Sequence, residues 1–290
     1  MIAAVTAVAL DGIRAAAPSG VEVRPLADGP GAATFVVPAG GDDLEAIAAS
    51  RTVEVVQTLS AGTDWIEPHL PPQATLCAAR GARDIPVAEW VVGALLGALY
   101  GQFRAAHLRA WDYGPPRELH ALRVLIVGFG SIGRAVQARL DVFGAQVTGV
   151  ASRARDGVHG AAELPALLPQ ADAVVVLLPL SDATRGMIGA AELAAMRDGA
   201  LLVNAGRGPV VDADALVAEL ARGRLEAVLD VTDPEPLPAE HPLWEHALAI
   251  TPHNAGDSEP AEARAVALAA EQLGRFARGE PLDHVVRGPR

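Results

Sequence analysis

The sequence predicts an α/β fold of two domains, each built on a parallel sheet, and three observations point to it. Short β-rich runs alternate with helical patterns along the chain, the order that βαβ units require. The runs of the second half are almost continuously apolar, as in parallel strands covered by helices on both faces. The length of 290 residues suits two cores better than one.

The elements follow in order. Strands are predicted at Ile2–Leu10, Val21–Pro25, Thr34–Val37, Val53–Leu59 and Thr75–Ala78, with a short helix at Asp42–Ala49 between them. From Ile85 an apolar-periodic segment, too long for a strand, runs to Tyr100 and on towards Trp111, and predicts a helix that leaves the first domain. Gly114-Pro115-Pro116 then breaks the chain. Strands follow at Arg123–Val127, Gln146–Val150, Ala173–Leu178, Ala200–Val203, Ala227–Leu229 and Leu248–Ile250. Helices fit Ile132–Phe143, Glu163–Leu168, Ala190–Met196 and Ala213–Arg222, and a last one at about Pro260–Arg278 returns to the first domain. The predicted division is residues 1–97 with 266–290, and residues 98–265.

Composition removes several functions. The net charge is −12, which disfavours nucleic acid and anionic membranes as partners, since both are held through basic patches. All 23 basic residues are arginine, so neither a lysine Schiff base nor a P-loop lysine is available. Cys77 is the only cysteine, which excludes an intrachain disulfide and a thiolate cluster. The eight histidines show no paired ligand spacing, so no metal is expected. Met1-Ile-Ala-Ala-Val reads as a strand, not a signal peptide, and no apolar run is long enough for a membrane span. A cytoplasmic protein is expected.

Gly128-Phe-Gly-Ser-Ile-Gly133 lies between an apolar strand and an amphipathic helix, the setting that makes a dinucleotide loop of a glycine pattern. Gly128 permits the tight turn, Gly130 the approach of a pyrophosphate, and Gly133 close helix–strand packing. The amides of Ser131 and Ile132 would face the phosphates at the positive end of the helix. This predicts a Rossmann-like domain.

The following strand ends in Ser152-Arg153-Ala154-Arg155 instead of an acid. A hydroxyl and two guanidinium groups match a ribose 2′-phosphate and favour NADPH over NADH; the alternative is that both arginines are solvated surface charges.

Three further stretches each place a polar side chain just after an apolar run. They are Val203-Asn-Ala-Gly-Arg-Gly208, Asp230-Val-Thr-Asp-Pro-Glu-Pro236 and Thr251-Pro-His-Asn-Ala-Gly256, carrying Arg207, Glu235 and His253. Either Arg207 or His253 alone could be incidental. Behind a dinucleotide loop, a cation, a carboxylate and an imidazole suggest hydride transfer to or from an anionic carbonyl compound. A carboxylate bonded to an imidazole orients it and favours its charged form.

With these motifs the chain resembles the D-isomer-specific 2-hydroxyacid dehydrogenases, from about Leu59 to Ala265. The Ser-Arg pattern at Ser152-Arg153 is similar to that of the NADPH-preferring glyoxylate/hydroxypyruvate reductases among them. The resemblance implies two Rossmann-like domains, one discontinuous and holding substrate, the other holding NAD(P). It implies His253 as acid and base, Glu235 as its orienting partner, and Arg207 as the group that binds substrate. Asp230 matches an aspartate near the nicotinamide, and Leu177-Leu-Pro-Leu-Ser-Asp-Ala-Thr184 a segment at the adenine side, which with Ala205 puts Leu178 and Pro179 at the cofactor.

Leu59-Ser-Ala-Gly-Thr-Asp64 resembles the loop whose amides, here Ala61 and Gly62, hold the substrate carboxylate; a simple βα turn is the alternative. Trp111 falls where related reductases carry a tryptophan that reaches a neighbouring subunit, with core packing equally open. The expected partners are a small 2-keto or 2-hydroxy acid and a second copy of the chain. The alternatives are a dehydrogenase of another small anion (formate, phosphite or a phosphorylated hydroxy acid) and a dinucleotide-sensing protein akin to a corepressor. No regulatory domain is expected after the returning helix, an expectation that argues against the long form of phosphoglycerate dehydrogenase.

Overall fold

The computed structural model describes residues 1–40, 42, 44–108, 111 and 114–289. In chain order the first elements are β1 (Ile2–Val5), α1 (Ala7–Ala16), β2 (Glu22–Pro25), β3 (Phe35–Val37), α2 (Leu44–Ala48), β4 (Val55–Gln57) and β5 (Thr75–Cys77). Then come α3 (Asp84–Leu99), α4 (Gln102–His107), β6 (Arg123–Val127), α5 (Ser131–Val142), β7 (Gln146–Ala151), β8 (His159–Gly160), α6 (Leu164–Leu167), β9 (Ala173–Val176), α7 (Ala190–Ala195) and β10 (Leu201–Asn204). The chain finishes with α8 (Ala213–Ala221), β11 (Glu226–Leu229), α9 (Leu243–His246), β12 (Ala249–Ile250), α10 (Glu259–Ala277) and β13 (Val285–Arg287).

The chain forms two compact units, residues 1–83 with 257–290 and residues 84–256. The expected boundaries at 97/98 and 265/266 therefore fall inside α3 and α10, and each of these helices belongs whole to one unit. Packing decides this. Val87, Val91, Leu95 and Leu99 of α3 share a core with β6 and α5, whereas Ala265, Ala269 and Leu273 of α10 share one with β1, β3 and α1. Helix α3 thus opens the second unit.

The first unit has the strand order β2-β1-β3-β4-β5-β13, parallel except for β13, which pairs antiparallel with β5. Alternation along the strands fills two cores. Ala3, Val5, Phe35, Val37 and Val55 face α1 and α10, while Ala4, Val36, Val56 and Leu76 face Ile47, Ile66 and Leu70. Cys77 is fully buried here; burial first, and the Asp283 carboxylate second, push its thiol up to about 11. It is a packing residue, not a nucleophile.

The second unit is a seven-stranded sheet, β12-β11-β10-β9-β6-β7-β8, with every pairing parallel. Leu125, Val127, Val174, Val176, Leu202 and Leu229 pack on one face beneath α6 to α9. Val124, Ile126, Val175, Leu201, Val203 and Val228 pack on the other beneath α3 and α5. Strand order reverses between β6 and β9, the switch point at which open α/β sheets bind ligands.

Three expectations need correction. The run Ile2–Leu10 is not one strand: Thr6 is extended (ψ 152°) and α1 follows, burying Ala9 and Ile13 one turn apart. An alanine-rich apolar run fits a strand or a buried helix, and packing chose. The long helix ends at Leu99, because Gly101 takes a left-handed conformation (φ 65°) before the separate α4. Trp111 is 96 % exposed, which removes core packing. Asp43, within the expected Asp42–Ala49 helix, and residues 109–110, within the expected extension to Trp111, lie outside the described residues. No helix among the described residues is long and apolar enough to cross a membrane.

Candidate active site

Strands β10, β11 and β12 are neighbours, so the turns that leave their C-terminal ends are neighbours too. Strand β10 ends in Asn204, only 1 % exposed, and its side-chain amide closes the next turn. Its Nδ2 donates to Arg207 O at 3.2 Å and its Oδ1 accepts from Gly206 N at 3.0 Å. The amide thereby supplies bonds the sheet no longer offers to the backbone. Half-buried Arg207 donates from Nη1 to Gly206 O at 2.8 Å. A Cβ on Gly208 would stand 1.8 Å from Thr232 O, so only glycine lets this turn lie against the one after β11.

Asp230 follows β11 and is 3 % exposed. Its Oδ1 accepts from Thr251 Oγ1 at 2.5 Å and Asn254 N at 3.0 Å, its Oδ2 from Ala255 N at 3.0 Å, and its carbonyl from His253 N at 2.8 Å. A buried carboxylate with three donors is well compensated. These bonds hold His253 at φ 53°, a left-handed conformation that costs a non-glycine residue about 1–3 kcal/mol unless its surroundings impose it.

Glu235 lies between two cis peptide bonds, Asp233–Pro234 and Glu235–Pro236. Its Oε1 accepts from Thr232 N at 2.9 Å, and its Oε2 lies 3.0 Å from His253 Nδ1. An ionised carboxylate only accepts, so Nδ1 carries the hydrogen and Nε2 remains to give or take a proton. The two side chains are 49 % and 37 % exposed, within reach of a ligand.

The glycine loop stands at the switch point. Gly128 has φ 105°, and a Cβ there would come within 2.6 Å of the Leu177 carbonyl carbon, so both conformation and space demand glycine. A Cβ on Gly133 would meet Gly128 O at 3.0 Å and Ile126 Cγ2 at 3.3 Å, where α5 packs onto β6. A Cβ on Gly130 would point into open space. Helix α5 has no side-chain cap at its N-terminus, and Ser131 and Ile132 open it; first-turn amides have no carbonyl partner inside a helix. Ser131 Oγ instead donates to Asp84 Oδ1 at 3.2 Å.

Ser152 and Arg153 are exposed at the end of β7, and Arg155 Nη2 reaches back to Phe129 O in the glycine loop at 2.5 Å. Leu178 and Ala205 are half-buried and Pro179 is exposed. The segment after Pro179 is pinned by Thr184 Oγ1, which donates to Pro179 O at 2.7 Å and accepts from Ser181 N at 2.9 Å.

In the first unit, the loop after β4 has two carbonyls that each accept two hydrogen bonds. Ser60 O accepts from Thr58 Oγ1 at 2.7 Å and Ala79 N at 2.9 Å, and Gly62 O from Ser60 Oγ at 2.7 Å and Trp65 Nε1 at 3.2 Å. The amides of Ala61 and Gly62 donate to no other described residue.

The structure thus joins Glu235 to His253, brings the Arg207 turn against theirs, and keeps the glycine loop, Arg155 and Leu177 together. Sequence reasoning assigned no role to Asn204, Thr232 or Thr251, and did not foresee that the Asp230 carboxylate holds the His253 turn. A polar residue ending an apolar strand, as Asn204 does and as Asp230 does one residue later, was the available signal.

The D-isomer specific 2-hydroxyacid dehydrogenase NAD binding domain matches residues 97–255. Glyoxylate/hydroxypyruvate reductase A of Escherichia fergusonii is 32% identical over 253 residues, 81% of this chain and 80% of that one. A D-isomer specific 2-hydroxyacid dehydrogenase of Xanthobacter autotrophicus, solved with NADPH and MES, superimposes with a TM-score of 0.85 at 30% identity, over 99% of this chain and 97% of that one. The NADPH-dependent glyoxylate/hydroxypyruvate reductase of Sinorhizobium meliloti, solved with NADP and sulfate, gives 0.85 at 28% identity, over 98% of each chain. The chain belongs to the D-isomer specific 2-hydroxyacid dehydrogenase family, with its two-sheet α/β fold, and is an oxidoreductase of the class acting on CH–OH groups.

Proposed function

We propose that this member of the family reduces a small 2-keto acid to the D-2-hydroxy acid with NADPH, glyoxylate and hydroxypyruvate being the first candidates. The observation that carries the reading is the Glu235–His253 pair at 3.0 Å, braced by Asp230 on one side and Thr232 on the other.

His253 Nε2 gives a proton to the ketone oxygen in reduction and takes the hydroxyl proton in oxidation. Glu235 fixes the tautomer and stabilises the imidazolium. Arg207 binds the substrate carboxylate and C2 oxygen and offsets the charge that develops there. In the first unit, Ala61 and Gly62 have amides suited to a substrate carboxylate. Bound NADPH supplies the hydride.

The residues present fit that cofactor. The space before Gly130 and the unpaired first-turn amides of α5 suit a pyrophosphate, held by Gly128, Gly130, Ser131, Ile132 and Gly133. Leu178, Pro179 and Ala205 line the same end of the sheet. Ser152, Arg153 and Arg155 suit a 2′-phosphate, which supports NADPH over NADH. Two homologous structures hold NADPH or NADP.

The second unit also exposes Tyr100, Leu108, Trp111, Val142 and Phe143, apolar surface that supports a homodimer. Light scattering at twice the chain mass is the expected result; a monomer would remove it.

The direct test crosses NADPH and NADH with glyoxylate, hydroxypyruvate, pyruvate and phenylpyruvate and follows nicotinamide absorbance. Turnover with NADPH and a subset of the acids is expected. No turnover with any pair, despite tight NADPH binding, would overturn the reading.

A further inference from the structure

The candidate substrate loop offers backbone amides, so what matters is what holds its backbone. Four carbonyl-directed contacts turn Ser60 O and Gly62 O inwards, all from groups in or beside the loop. The carbonyl that opens the loop, Leu59 O, is held from farther away, by Arg83 Nε at 3.3 Å. The same guanidinium donates from Nη1 to Asp257 Oδ1 at 2.7 Å and from Nη2 to Glu262 Oε2 at 3.0 Å. Its side chain is 19 % exposed. Glu262, in the first turn of α10, has its other oxygen, Oε1, buried without a partner, so Arg83 is the cation that compensates its charge. Arg83 and Asp257 are also the residues at which the chain leaves and re-enters the first unit.

We propose that Arg83 is a positioning residue for the substrate: held by Asp257 and Glu262, it fixes Leu59 O and thereby keeps the amides of Ala61 and Gly62 directed at the substrate carboxylate. The role rests on the reading of Ala61 and Gly62 given above. The planar fork suits it, since three donors leave arginine in fixed directions, whereas an ammonium is a rotating point charge. Substrate affinity is therefore set partly by a residue that touches no substrate, through ion pairs within the first unit.

The experiment uses the full chain with NADPH. Arg83→Met should raise KM for the preferred keto acid about tenfold or more, with kcat and NADPH affinity within about twofold. Amide hydrogen exchange over residues 59–64 should quicken in the same variant. Arg83→Lys, which keeps the charge and one donor, should show both changes to a smaller degree, and carries the test if Arg83→Met does not fold.

A lower Tm with unchanged KM and unchanged loop exchange would make Arg83 a stability brace and overturn the proposal. Gly62→Pro, which deletes one amide and leaves Arg83 in place, separates the two readings. If Gly62→Pro raises KM and the Arg83 variants do not, the inference about Arg83 fails alone. If Gly62→Pro leaves KM unchanged, the substrate-loop reading fails, and the inference with it.

Discussion

Both units are largely parallel sheets packed against helices, and in both the candidate ligand loops leave the C-terminal ends of strands, yet they hold those loops by different means. In the second unit, buried polar side chains do it: Asn204 closes the Arg207 turn, and Asp230 gathers Thr251, His253, Asn254 and Ala255. In the first unit, hydroxyls, an indole and one guanidinium bind the loop carbonyls. The difference follows from what each loop is proposed to present. A side chain that moves a proton needs its turn locked, and a buried carboxylate with several donors locks it in one conformation. An anion cradle made of amides needs only its carbonyls turned away.

The comparison predicts its own largest effect. His253→Ala and Arg207→Ala should each lower kcat/KM by about 10²–10⁴-fold, with NADPH affinity kept. Near-normal turnover in either variant removes that side chain from the mechanism. Asp230→Asn should come next. It puts an amide donor before the amide of either Asn254 or Ala255, since these bond different oxygens, costs about 3 kcal/mol, and releases the strained His253 turn. Its Tm and its kcat should fall together; a lower Tm with unchanged kcat would separate the brace from the site.

Changing both Arg153 and Arg155 to Ala should weaken NADPH binding by about 10–100-fold and leave NADH untouched. Equal loss for both cofactors would mean that Arg155 acts by holding Phe129 O, not by reading a phosphate.

The smallest effect should lie at the far end of the second sheet. There Arg123 bonds Asp172 from Nε at 3.0 Å and from its backbone amide at 2.9 Å, and with Arg197 holds the Asp172 carboxyl below the ordinary carboxylate range. A lowered pKa in the folded state stabilises at pH values above the unfolded one, about 3.9, and that contribution is lost as pH falls through the folded value. Asp172→Asn should therefore be slightly less stable than the parent at neutral pH, with the gap closing as pH falls below the ordinary carboxylate range and kcat unchanged. A gap that persists in acid would assign the effect to hydrogen bonding and not to charge.

Legibility in the sequence followed the same division. The second unit announced itself: Arg123–Val127 was read to the residue, because the apolar run Val124–Val127 before Gly128 fits little besides a buried strand entering a tight turn. His253, Glu235 and Arg207 stood out because charged groups after apolar runs need a reason. In the first unit the start of α1, Ala7–Leu10, was read as strand, since Ala, Val and Leu there satisfy either period. The two-residue β8 and the closing β13 escaped because so few residues carry no period at all. The domain boundaries were displaced because helix periodicity shows that a helix buries a face, not which sheet it buries it against.

Sequence alone determined the α/β class, the glycine loop, and the residue types of the candidate site. These depend on local alternation, on the steric demand at Gly128 and on the chemistry of single side chains, all written in short stretches of chain. Tertiary structure alone decided which unit owns α3 and α10, that Asp230 braces the His253 turn, and that Arg83 joins Leu59, Asp257 and Glu262. Those facts rest on contacts between residues far apart in the chain (Arg83 and Glu262 are separated by 179 positions), and no local pattern encodes which distant partner a buried charge will find.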